Sequence, residues 1–106
     1  MKKIDIIEAI FKNHLFTKTT DLKIEMFPKT ERYSNSEGIR FENEILIGEF
    51  FAYEYNSKYC ELEYAEVKTS EHFCSVIDFK NENDLSQIIN DFLDQRLTEY
   101  DNAKKN

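Results

Sequence analysis

The chain reads as an α+β domain: an N-terminal helix, an antiparallel β-meander of about five strands, and a C-terminal helix, with the helices packed on one sheet face. Three observations predict this. Apolar residues recur at three- and four-residue spacing near both ends, the signature of amphipathic helices. Between them the pattern switches to period two, the signature of half-buried strands. Short polar connections separate the alternating runs, as in a meander. At 106 residues the chain makes one domain, spanning 1–100, with residues 101–106 as a flexible tail.

The elements follow in order. Residues 4–16 carry Ile4, Ile7, Ile10, Phe11, His14 and Leu15 on one helical stripe, with Glu8 and Lys12 as an i,i+4 pair on the outer face. Thr17 to Thr20 reads as a polar connection. Asp21 to Phe27 alternates, placing Leu22, Ile24 and Met26 opposite Lys23 and Glu25, until Pro28 ends the strand. Residues 28–36 form a long polar loop with Tyr33 as its one large anchor. Gly38 to Glu42 resumes strand character, and Asn43-Glu44 reads as a tight turn.

The stretch from Ile45 to Glu66 is the centre of the design. It reads as a hairpin with Asn56-Ser57-Lys58 between its arms. In the first arm Leu46, Gly48, Phe50 and Ala52 share one face, and Ile47, Glu49, Phe51, Tyr53 and Tyr55 the other. Apolar groups on both faces mark it as a central strand. In the second arm Cys60, Leu62 and Tyr64 oppose Tyr59, Glu61, Glu63 and Ala65. Val67 to Glu71 is a turn, and His72 to Phe79 the last strand. Asn81 then suits a helix N-cap. Leu85, Ile88, Ile89, Phe92, Leu93 and Leu97 form the stripe of a helix ending near Tyr100.

The formal net charge is −7, and it is concentrated: residues 41–66 hold seven acidic side chains and one basic one. Nucleic-acid binding needs lysine and arginine to displace counterions, so this balance argues against it. It favours a basic partner through electrostatic steering, or it serves solubility alone. Like charges opposed in a sheet are unfavourable. Glu49, Glu54, Glu61 and Glu63 on neighbouring strands therefore call for a basic partner or nearby lysines. The aromatic neighbours Phe51, Tyr53, Tyr55 and Tyr59 would supply contact area, or simply pack. The candidate partner-binding set is Glu49, Tyr53, Glu54, Tyr59, Glu61 and Glu63.

No motif for catalysis emerges: there is no glycine-rich phosphate loop, no GxSxG and no HExxH. A metal site from His72, Cys74 and Asp78 competes with ordinary strand alternation, and neither a metal nor another cofactor is expected. A nucleophile pairing Cys60 or Cys74 with His72 lacks an orienting group. His14, near a helix end, fits packing and dipole compensation better than a site. Cys60 and Cys74, without CxxC spacing, fit a reducing cytosol and read as small buried hydrophobes. No apolar run reaches membrane-span length.

On Gly38-Ile39-Arg40-Phe41-Glu42, Ile47-Gly48-Glu49-Phe50, Cys60-Glu61-Leu62-Glu63, the His72–Phe79 strand and the Asp84–Leu97 helix, the chain resembles the immunity proteins of contact-dependent growth inhibition systems, in particular the TriTu immunity type. The resemblance covers about two thirds of the chain. Tyr53 stands where the family pattern leads one to expect a tryptophan. The resemblance implies a cytoplasmic non-enzyme that binds and neutralises a cognate toxin domain. That toxin would be a basic RNase able to engage elongation factor Tu, blocked by occlusion. A second reading is an acidic secretion chaperone, which as a dimer would hold an extended effector segment. A third is an inhibitor whose acidic surface imitates nucleic acid.

Overall fold

The computed structural model describes residues 3–27, 36–53 and 59–105. The order is α1 (Lys3–Asn13), α2 (Leu15–Thr20), β1 (Lys23–Phe27), β2 (Ser36–Glu42), β3 (Leu46–Tyr53), β4 (Tyr59–Glu66), β5 (His72–Asp78) and α3 (Glu82–Lys105). The strands form one antiparallel sheet in the order β1-β2-β3-β4-β5, with β3 in the middle. The fold is therefore the α+β meander flanked by helices that the hydrophobic periodicity predicts. The long loop around Tyr33 and the Asn56-Ser57-Lys58 turn lie outside the described residues.

The core fills the space between the helices and one sheet face. Ile4, Ile7 and Phe11 of α1 and Leu85, Ile89 and Leu93 of α3 are buried against Ile39, Phe41, Phe50, Ala52, Cys60 and Leu62. Phe11 sits at its centre, stacked on Phe41 at 5.3 Å between ring centroids and tilted against Phe50 at 6.0 Å and Phe92 at 6.4 Å. Such ring pairs add about 0.5–1.5 kcal/mol each beyond area burial. Gly48 lets β3 and β4 approach closely. A Cβ there would lie against the Glu63 carbonyl and 2.6 Å from the Tyr64 Cβ, with backbone rather than a movable side chain in the way.

Among the described residues Arg96 is the one charged side chain that is buried. Its guanidinium lies 5.3 Å from the Tyr64 ring centroid and 5.4 Å from that of Phe92. It donates to the Tyr64 hydroxyl at 2.9 Å and pairs with Glu99 at 3.2 Å. Its Nε has no partner among the described residues.

Three local readings are corrected. The first helix does not run to residue 16. His14 adopts extended backbone, φ −70° and ψ 144°, and its Nδ1 caps a second helix by accepting from the Phe16 N–H at 3.0 Å. The Thr17–Thr20 connection is that second helix, α2, closed by Asp21 in the left-handed region at φ 56°. Threonine's weak helix propensity hides this turn from the sequence; burial of Phe16 and Thr17 outweighs it. At the other end α3 continues past Tyr100 to Lys105. Its start is as expected: Asn81 accepts from the Asp84 N–H at 2.9 Å, and Asp84 in turn accepts from the Lys80 N–H at 2.8 Å.

Candidate partner-binding face

The side of the sheet away from the helices is the candidate surface. Alternation along each strand fixes which residues reach it. Register then sets them in rows across the sheet: Glu25, Arg40, Glu49, Glu63 and Cys74 form one row, and Gly38, Phe51, Glu61 and Val76 the next. Glu49 and Glu63 are thus direct cross-strand neighbours, the like-charged juxtaposition the sequence suggests.

Two flanking groups relieve it. Arg40 Nε donates to Glu49 Oε1 at 2.8 Å, and His72 Nε2 lies 2.9 Å from Glu63 Oε1. The Glu49 side chain is 26% exposed and that of Glu63 50%. Neither carboxylate is buried, but each already has an internal partner. Glu61 differs. It is half-buried between Phe51 and Val76 in register, and its side chain forms no hydrogen bond or ion pair among the described residues.

The face divides in two. On β1 and β2, Lys23 stands opposite Glu42 and Glu25 opposite Arg40, so charges match across the strands. On β3, β4 and β5 the charged positions of this face are Glu49, Glu61, Glu63 and Asp78, with His72 beside them and no lysine or arginine. An open concavity of about 790 Å³ spans the boundary between these halves, bordered by Lys23, Arg40, Glu49, Glu63 and His72. Ile47 and Val76 add exposed apolar surface, Val76 at 63%.

Of the residues singled out from sequence, Glu49, Glu61 and Glu63 come together. Tyr59 is half-buried at the far end of the same face, paired in register with Asp78. Tyr53 closes β3 with its backbone opposite Ser36, two residues beyond Phe51. Glu54 lies outside the described residues. Arg40 and His72 were not among those candidates. Their role depends on register between strands, for which no local sequence signal exists; the outward position of Arg40 in its strand is the nearest hint.

Comparison of the chain with protein-family models, curated proteins and solved structures finds no match.

Cys60 is buried on the covered face, with its Sγ 3.6 Å from the Ile77 carbonyl oxygen. Burial, reinforced by Asp78 and Glu61, pushes its thiol up to about 11. It points away from His72, which rules out that pairing as a nucleophile. Cys74, expected to be buried, is exposed on the open face. The reason is its place on β5, an edge strand whose outer residues have a neighbour on one side only. Among the described residues no group of three His, Cys, Asp or Glu side chains is placed to hold a metal ion. Among the same residues no helix is long and apolar enough to cross a membrane.

Proposed function

We propose that the protein is a non-enzymatic binding protein of the cytoplasm that neutralises a cognate toxin domain. It does so by laying the acidic half of its open sheet face over a basic surface of that domain. The observation that carries this reading is Glu61, a half-buried carboxylate without a cation among the described residues, set between Phe51 and Val76 and beside the opposed pair Glu49–Glu63. A carboxylate set beside apolar groups gains a charge-assisted hydrogen bond once a lysine or arginine reaches it. The apolar neighbours would exclude water around such a contact.

The resemblance to immunity proteins of the TriTu type supplies the partner class: a toxin RNase, blocked by occlusion of its substrate-binding surface or of its access to elongation factor Tu. Long-range attraction between an acidic face and a basic enzyme speeds capture. The secretion-chaperone reading uses the same charge but a different client, an extended segment in place of a folded domain.

The proposal expects a basic toxin domain to be encoded beside this chain's gene, and calorimetry of that neighbouring product at two salt concentrations tests it. The expected result is tight, salt-weakened binding of the folded domain. The double variant Glu61→Lys/Glu63→Lys should weaken it about a hundredfold, the order expected when buried charge contacts of roughly 2–5 kcal/mol are lost, and leave the melting temperature nearly unchanged. Equal binding by wild type and variant would remove the site; binding only to an unfolded segment would favour the chaperone.

A further inference from the structure

We infer that the outer edge of β5 pairs with β5 of a second copy of this chain, antiparallel about a two-fold axis through Ser75, giving a dimer with one continuous sheet.

The two edges of the sheet are unlike. An edge strand leaves backbone donors and acceptors open to another chain, and charged residues or proline at the edge guard against this. β1 is guarded: Lys23 and Glu25 interrupt it and Pro28 follows it. β5 is not. Between His72 and Asp78 it reads Phe73-Cys74-Ser75-Val76-Ile77, with no charge, proline or glycine. Cys74, Ser75 and Val76 are all exposed.

The strand is also self-complementary in one register. In an antiparallel pair centred on Ser75, residue numbers mirror about that position. Phe73 then meets Ile77 of the second copy, Cys74 meets Val76, and His72 meets Asp78. Apolar residues oppose apolar ones on both faces, and the imidazole opposes a carboxylate at each end. Centring on Cys74 or on Val76 loses the His72–Asp78 pairing. In the Ser75 register His72, bonded to Glu63 through Nε2, donates from Nδ1 to Asp78 of the other copy when its ring is in the imidazolium form.

The guarded β1 edge makes the assembly close. Pairing of β5 with β5 uses each free edge once, whereas β5 on β1 would propagate into a fibre. A seven-residue strand pair falls well short of the roughly 1,600 Å² of a standard interface, so the association is weak and concentration-dependent. It is independent of what the acidic face binds, and it leaves Glu49, Glu61 and Glu63 uncovered. A dimer would not by itself favour the chaperone reading, because the folding state of the client still separates the two.

The full chain should pass from monomer to dimer with rising concentration in light scattering. Under the same conditions a short bismaleimide should link Cys74 to Cys74 of the second copy, which the register places on one face two residues out of step. Val76→Lys places a charge at the centre of the edge, beside Glu61, and should raise the dimer dissociation constant about tenfold or more, with unchanged circular dichroism. Asp78→Lys should weaken the dimer more mildly and keep the fold. A chain that stays monomeric at its solubility limit would overturn the inference. So would a dimer indifferent to both substitutions, or one that excludes Cys74 from cross-linking. None of these measurements uses a toxin partner.

Discussion

Of the seven register pairs that join β3 to β4, two adjacent ones stand in contrast. Phe50 opposite Leu62 faces the helices; Glu49 opposite Glu63, one residue along, faces out. The same hydrogen-bonded ladder carries both. The first pair is buried and holds the core together. The second sets like charges side by side and needs Arg40 and His72 to temper it. One residue of strand thus separates a pair that stabilises the fold from a pair that strains it. The difference teaches that the core and the open face can be altered separately here, because period-two alternation keeps their side chains on opposite sides.

The sharpest way to probe that separation is through the thiols. Cys74 on the open face should react with a maleimide within minutes in the folded chain, while Cys60 reacts only as fast as the domain unfolds; timed mass spectrometry would count the adducts. The sign of the pH effect follows from the same burial. The Cys60 thiol keeps its proton up to about 11 in the folded chain but loses it near 9.0 when unfolded. Between those values the folded state binds more protons, so stability falls as pH rises through the window and is fully present below it. Cys60→Ala should remove that component of the slope in denaturant titrations from pH 8 to about 11.

Next in size is the core pair itself. Phe50→Ala should cost about 3–5 kcal/mol, a large share of the roughly 5–15 kcal/mol of a typical domain, and chemical denaturation would read it directly. Arg40→Ala should cost about 0.2–1 kcal/mol, because Glu49 then faces Glu63 without its cation; the loss should shrink in high salt. An effect of the same order has the opposite sign. Glu63→Gln keeps an acceptor for His72 but removes the like-charge opposition, and should raise stability by roughly 0.2–1 kcal/mol. A fall in stability there would mean that the Glu63–His72 contact outweighs the repulsion.

The two faces of β3 were legible because alternation alone separates Leu46, Gly48, Phe50 and Ala52 from Ile47, Glu49 and Phe51, but with apolar groups in both sets it is the register that shows which set the helices cover. The α3 stripe was legible for the same reason at helical spacing. What stayed hidden depends on partners distant in sequence. His14 caps α2 and reaches Asp94 at 2.7 Å, eighty residues away, and nothing local announces either contact. Cys74 looked buried because β5 is apolar on both sides, and only the strand order reveals it as an edge. The acidic cluster was visible as composition; its internal relief by Arg40 and His72 was not, since register is a property of strand pairs and not of single strands. The continuation of α3 to Lys105 was missed because its last residues carry no apolar stripe to follow.

Arg96 constrains the angle at which α3 can lie. A wholly aliphatic stripe would slide or roll with little penalty, because oil-like contacts do not depend on direction. A guanidinium seated between two rings, with one nitrogen on a phenol oxygen, tolerates no such drift: a roll of one residue, about 100°, would strand a buried cation. The long helix is therefore keyed to β4 at a single azimuth, through one nitrogen on the Tyr64 hydroxyl and a cation held against two rings.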